Sequence, residues 1–261
     1  MQLSVAGRGA LITGGSKGLG LAMGIAFAKA GGAVALVARG AADLATAEAA
    51  VKAAAPGATV AAISADISTE AGCVAAFDAA VKAMGKVDIL INNAGTSQRG
   101  AFLQVSDALW QNDLDLKLFA AIRLCRLAIP GMTERKWGRI INVLNIGAKA
   151  PPAEGAPTAV SRAAGMALTK ILANECAPHN VLVNALLVGL IDSDQHVRRH
   201  ASTKTNESYA EWLAKLGSSL PMGRYGKAEE FANTALFLAS EAGGYIAGTA
   251  LNVDGGRSPV V

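Results

Sequence analysis

The sequence predicts an α/β protein: a doubly wound, seven-stranded parallel sheet flanked by helices, in one domain over residues 1–261. Three observations predict it. Short runs of aliphatic and β-branched residues alternate with longer Ala-rich helical patterns along the whole chain. Several of the short runs are apolar on both faces, as strands covered by helices on both sides must be. A glycine-rich turn joins the first run to the first helical pattern.

The elements follow in order. Gly9–Thr13 is expected as a strand, then Leu19–Ala30 as a helix. Ala33–Ala38, unbroken Ala, Val and Leu, reads as the second strand, and Ala41–Ala55 as the helix after it. Thr59–Ser64 and Ile89–Asn92 are the next strands, separated by a helix at Glu70–Met84. One long helix is expected over Ser106–Met132, before the strand Gly138–Val143. A helix at Thr158–Glu175 precedes the strand Leu182–Leu187, and Ala228–Ser240 precedes the last strand, Ala250–Val253. The segment 192–220 breaks this rhythm, being longer, more charged and richer in Ser, Thr and His. Such an insertion is expected to carry a substrate lid.

Composition narrows the class. With 52% hydrophobic and 17% charged residues among 261, the chain can bury a large core and is not disordered. Its net charge of +4 is spread along the chain, with no basic stripe or aromatic platform, so nucleic acid is not expected as a partner. Mean hydropathy is high, +0.34. Even so, the stretch Ala177–Ile191, free of Asp, Glu, Lys and Arg, is short and interrupted by Pro178, His179, Asn180 and Asn184, so no membrane span is expected. The first residues lack the basic, apolar and small-residue pattern of a secretion signal. Cys73, Cys125 and Cys176 are far apart and odd in number, which suits buried thiols in a reducing, cytoplasmic setting. Aromatic residues are only 5%, and the three tyrosines are Tyr209, Tyr225 and Tyr245.

The first strand runs straight into the loop Thr13 to Gly20. Gly14, Gly18 and Gly20 permit a tight turn and close approach to a pyrophosphate, with Ser16, Lys17 and Leu19 completing the loop. The following helix offers free N–H groups and a positive dipole end. Placed between the first strand and a helix, the loop is read as a Rossmann-type dinucleotide site; an ordinary tight turn is the plainer reading. The second strand ends in Arg39 with no acid to hold a ribose 2′-hydroxyl. Arg39 and Lys17 together suit a 2′-phosphate, which favours NADP(H) over NAD(H). Two solvated surface cations are the other reading.

Along almost its whole length the chain resembles the short-chain dehydrogenase/reductase family. The resemblance rests on the loop at Thr13–Gly20, on Asp66 with Ile67, and on Asn92, Asn93, Ala94 and Gly95 after the fourth strand. It continues through Pro221–Gly226, Glu229–Ala232, Phe237–Ser240 and Asp254–Gly256. It implies that Asp66 and Ile67 meet the adenine, and that Asn93, Ala94, Gly95, Gly189, Ile191 and Ser193 bind the cofactor. It also implies a homodimer or homotetramer, built through the Ser106–Met132 and Thr158–Glu175 helices and the last strand.

The family's chemistry rests on an Asn, a Ser, and a Tyr and Lys in a YxxxK helix, the tyrosine carrying the proton. Here the tyrosine slot falls on Thr158 and the lysine slot on Arg162. The serine slot falls on Asn145 and the asparagine slot on Lys117, while Val188 stands in the usual Pro-Gly pair before Gly189. No tyrosine precedes position 209, so a tyrosine is missing from the Thr158 helix whatever the alignment.

An aliphatic hydroxyl does not ionise in the physiological range, so Thr158 suits positioning a carbonyl rather than acting as the acid. Arg162 binds a ribose diol or polarises an oxygen, but keeps its proton. Lys117 is the more capable titratable group, since crowding beside Arg162 lowers its pKa. Asn145 is expected to hydrogen-bond the substrate oxygen. In the lid, His196 and His200 stand four residues apart, yet no third ligand is indicated and no metal is expected. His200 or His196 entering as an acid, and Tyr209 swinging in, are the alternative proton donors. Arg198 and Arg199, with Lys117 and Arg162, suit an anionic or strongly polar small-molecule substrate; solvated loop arginines are the plainer reading. Three functions compete: an NADP-dependent oxidoreductase reducing a carbonyl through an altered proton-delivery centre, an NADP(H)-binding sensor or scaffold without turnover, and another reaction on the same scaffold.

Overall fold

In the computed structural model, the described residues are 3–192, 197, 200–203 and 206–261. Strand β1 (Gly9–Thr13) pairs in parallel with β2 (Ala33–Ala38) on one side and β4 (Ile89–Asn92) on the other. Beyond β2 lies β3 (Val60–Ser64); beyond β4 lie β6 (Gly138–Asn145), β8 (Val181–Val188) and β9 (Ala250–Val253). The sheet has seven strands in the order β3-β2-β1-β4-β6-β8-β9, all parallel. The strand order reverses beside β1, so a crevice opens at the carboxyl ends of β1 and β4.

Helices α1 (Gly18–Lys29), α2 (Ala41–Ala54) and α3 (Glu70–Met84) connect the first four strands. The full burial of β1 follows from helices on both faces. One core joins Met23, Phe27, Leu44 and Val51 to Phe231 and Leu238. The other, across the sheet, joins Leu11, Cys73, Leu124, Met132 and Val183. Burying each such side chain fully stabilises the fold by about 1.5–3 kcal/mol. Cys73, Cys125 and Cys176 are free and buried, and burial pushes the Cys125 thiol up to about 12. Trp137 packs with the Arg8 and Arg139 guanidinium groups 3.7 Å and 4.4 Å from its ring. Among the described residues, no helix is long and apolar enough to cross a membrane.

The single helix expected over Ser106–Met132 is not continuous. It divides into α4 (Asp107–Leu114), a π-helical turn at Asp115–Phe119, and α5 (Ala120–Glu134). The Ser106 hydroxyl caps α4 by accepting from the Leu109 N–H at 3.3 Å. The wide turn rotates the helix surface and directs Lys117 inward, where an unbroken α-helix would have shifted its register. Helix α6 (Thr158–Cys176) follows the expected segment. Two features had no counterpart in the expected elements. Strands β5 (Arg99–Gly100) and β7 (Ala156–Pro157) form an antiparallel ribbon that sets Arg99 opposite Pro157. The insertion contains α7 (Tyr209–Gly217), opened by a Ser208–Glu211 capping box, before α8 (Ala228–Ala239).

Candidate active site

The glycine loop owes its shape to short-range geometry. Gly14 and Gly18 have φ of 65° and 52°, and a Cβ on Gly20 would run into the Gly14 carbonyl oxygen. Thr13 Oγ1 donates to the Ile91 carbonyl at 3.2 Å and accepts from the N–H groups of Asn93 and Ala94 at 2.9 Å and 3.0 Å. The Asn93 amide donates to the carbonyls of Thr13 and Gly14 at 2.9 Å and 3.2 Å. Asn93 is thus a brace for the loop as well as a wall of the crevice. Lys17 caps α1 without a side-chain bond to the helix, which leaves its first N–H groups directed toward the loop.

A cavity of about 900 Å³ runs along the carboxyl ends of the strands. It is lined by Gly14, Ser16, Lys17, Gly18, Leu19, Gly20, Asn93, Ala94 and Gly95, and farther along by Asn145, Thr158, Arg162, Gly189 and Ile191. Three expected cofactor residues stand outside it. Arg39 is exposed at the end of β2, and its carbonyl accepts from Ser64 Oγ at 3.0 Å. Asp66 accepts from Ser68 Oγ and N–H, which hold its carboxyl below the usual range, helped by the charge of Arg39. Ile67 is buried in the core. Lys17 is not a free cation: its Nζ lies 2.8 Å from Asp43 Oδ2, both side chains about half exposed. Such a pair contributes at most about 1 kcal/mol and exchanges readily for a ligand phosphate.

Lys117, Asn145, Thr158 and Arg162 converge at the inner end. The Lys117 side chain is wholly buried, pairs with the Asp113 carboxylate four residues earlier, and donates to Thr158 Oγ1 at 2.7 Å. Burial lowers its pKa to about 8; the Asp113 hydrogen bond and charge oppose this, while Arg162 and Arg99 push it further down. Crowding by Arg162 is therefore a lesser cause than desolvation, a correction to the expectation. Ser161 Oγ donates to the other Asp113 oxygen at 2.6 Å, so the carboxylate is held from two sides.

Thr158 differs from its expected role. Its hydroxyl donates to the Gln98 carbonyl at 2.7 Å and accepts from the Gln98 N–H at 3.0 Å and from Lys117. That hydroxyl is a junction between the ribbon and Lys117, not an unoccupied hook for a carbonyl. Arg162 Nη1 donates to the Val143 carbonyl at 2.9 Å, and its guanidinium lies where a Cβ on Gly95 would fall. Burial brings its pKa down to about 10, so it stays cationic at neutral pH. Arg162 Nε and Asn145 Oδ1 are buried without a hydrogen-bond partner among the described residues. An orphaned donor and acceptor beside one cavity are groups that a ligand would satisfy.

The described lid candidates, His200 and Tyr209, are not gathered at this site. His200 Nε2 lies 3.0 Å from the Glu207 carbonyl, and its ring packs on Tyr209 and Trp212. The Tyr209 hydroxyl donates to Asp192, so it serves the lid's own anchoring. Ser193, His196, Arg198 and Arg199 lie outside the described residues. The residues missed were Asp113, Ser161, Gln98, Arg99 and Arg257. Asp113 did carry a signal, standing four residues before Lys117 on one helix face.

Residues 14–258 match a family model described as enoyl-(acyl carrier protein) reductase. The 3-oxoacyl-(acyl carrier protein) reductase of Aquifex aeolicus is 30% identical over 98% of this chain and 99% of its own. Among solved structures, L-sorbose reductase from Gluconobacter frateurii, complexed with NADPH and L-sorbose, is 33% identical with a TM-score of 0.94 over 100% of both chains. The NADPH-bound short chain oxidoreductase of Pseudomonas aeruginosa PAO1, containing an atypical catalytic center, is 34% identical with a TM-score of 0.90, over 99% of this chain and 100% of its own. The strand order, the braced glycine loop and these likenesses over the full length have one account: the chain belongs to the short-chain dehydrogenase/reductase family.

Proposed function

We propose that the protein is an NADPH-dependent reductase of a carbonyl substrate in which a buried lysine, rather than a phenol, is the acid. The observation that carries it is the chain Asp113–Lys117–Thr158 behind the inner wall of the cavity. The four positions that the family fills with Asn, Ser, Tyr and Lys are read here as Lys117, Asn145, Thr158 and Arg162. NADPH fits the residues present: Gly14, Ser16, Lys17, Gly18, Leu19 and Gly20 would hold its pyrophosphate, and Arg39 its 2′-phosphate. When bound, it supplies hydride to the carbonyl carbon.

The chain's own groups manage the oxygen. Arg162, cationic and half-buried, polarises it and opposes the charge that develops there, and the Asn145 amide orients the substrate. On substrate binding the Thr158 hydroxyl turns its proton from the Gln98 carbonyl to that oxygen and passes it on while taking one from Lys117 Nζ, so no alkoxide need persist. Lys117 ends neutral, and the Ser161 hydroxyl holds the Asp113 carboxyl group in place beside it. The complete hydrogen bonding of Thr158 within the chain favours a second reading, an NADPH-binding sensor without turnover.

NADPH consumption across a panel of ketones and aldehydes tests the choice. Turnover is expected; tight NADPH binding with no carbonyl reduced would leave the sensor. The 2′-phosphate assignment has its own test. Arg39→Asp is expected to weaken NADPH binding by roughly tenfold or more and to improve NADH binding. Unchanged selectivity in calorimetry would remove Arg39 from the site.

A further inference from the structure

The walls of the cavity are unbalanced in charge. Lys17, Arg99, Arg162 and Arg257 line it, and among the described residues no Asp or Glu does. Lys17 answers to Asp43 outside the cavity. The Lys117 charge beneath the wall is matched by Asp113, so it leaves no excess. Arg99 and Arg257 are different: both are exposed, and neither side chain makes an ion pair or hydrogen bond among the described residues. Arg162 adds a buried Nε with no partner. Three guanidinium groups therefore face one space with no anion from the described residues inside it.

The placement of Arg99 is not that of a stray surface cation. The ribbon pairs its backbone with Pro157, the residue before Thr158. Its charge reaches Lys117 strongly enough to help lower that group's pKa. Arg257 follows β9, the edge strand next to β8, and lines the same cavity. A guanidinium fork matches a carboxylate or a phosphate oxygen pair better than any neutral group.

We infer that the cavity is an oxyanion-selective substrate site, in which Arg99 with Arg257 grips the carboxylate or phosphate group of a small carbonyl compound. This deepens the reductase reading and rests on it for the carbonyl, though not for the anion. The fork holds the anionic end, and the carbonyl end is left toward Arg162 and Thr158. Neutral analogues leave the two arginines solvated and gain nothing from them.

Isothermal titration calorimetry of the protein saturated with NADPH, using malonate, inorganic phosphate and malonamide as probes, tests the anion alone. At least one anion is expected to bind tenfold or more tightly than malonamide, and which of the two does so identifies the group. Arg99→Ala is expected to remove about a tenfold advantage, and Arg99→Lys less, because it keeps the charge and loses the fork. Equal binding of all three probes overturns the inference. The second arm compares kcat/KM for 2-oxo and 3-oxo acids with their methyl esters, and for dihydroxyacetone phosphate with dihydroxyacetone. The charged member is expected to lead by about thirtyfold, and the ratio to fall toward one in Arg99→Ala. A ratio near one in the native protein also overturns it. Selective anion binding with no carbonyl reduced would uphold the subsite and remove the reductase reading. Arg99→Ala must also move the alkaline limb of the rate to higher pH, since a cation beside Lys117 is lost. A merely structural arginine would leave that limb in place.

Discussion

Replacing Lys117 by methionine is expected to abolish carbonyl reduction while NADPH still binds, and to destabilise the fold at the same time. The lysine side chain is wholly buried against Asp113, whose carboxylate is buried too. Methionine removes the charge that compensates that carboxylate, and an unpaired buried charge costs about 3–5 kcal/mol. Lost activity in this variant alone would therefore be ambiguous. The double variant Asp113→Asn with Lys117→Met separates the two effects, because a neutral pair restores most of the lost stability. Urea denaturation should place the double variant well above Lys117→Met, with NADPH affinity near that of the native protein and turnover still absent. Turnover surviving in the folded double variant would exclude Lys117 as the proton source.

The rate of reduction should be flat below about pH 8 and fall roughly tenfold per unit above it, because the Lys117 pKa is held near 8 and the acid form carries the proton. Asp113→Asn is expected to shift this limb. The hydrogen bond and charge of Asp113 both raise the Lys117 pKa, so removing the charge moves the limb toward acid. Stability responds in the opposite sense to activity. From about 8 to the ordinary lysine value of 10.5 the unfolded chain holds the proton more firmly than the folded one. In that window the folded state gains as pH rises, through this group. A pH–rate profile with a flat alkaline limb, or one unmoved by Asp113→Asn, would contradict the relay.

How much of this was legible beforehand follows from which interactions are local. The glycine loop, the strands β1, β2 and β4, and the helices packed on them reflect periodicity and turn chemistry over a few residues, and the structure places them where the pattern does. The helix over Ser106–Met132 read as continuous because its apolar pattern does not register one wide turn. That turn answers to a buried ion pair reaching across to α6. The ribbon of β5 and β7 joins segments more than fifty residues apart in sequence with two residues each, too short to leave a pattern. Arg99 went unnoticed for that reason, and Gln98 with it.

The missing phenol needed no structure at all. Residue counts do not depend on folding, and a chain whose first tyrosine is Tyr209 has none to place in the Thr158 helix. The glycine loop and the cation at the end of β2 were likewise readable, because a backbone that must turn tightly and a strand end without an acid are properties of short segments. What the tertiary structure decided was the state of the groups left behind. Lys117 has its pKa near 8 only because folding strips it of water and brings Arg162 and Arg99 near it, from separate elements, against the opposing effect of Asp113. Thr158 is a junction rather than a hook only because Gln98 and Lys117 meet at its hydroxyl. Desolvation and charge are summed over neighbours in space, and the neighbours are chosen by the fold.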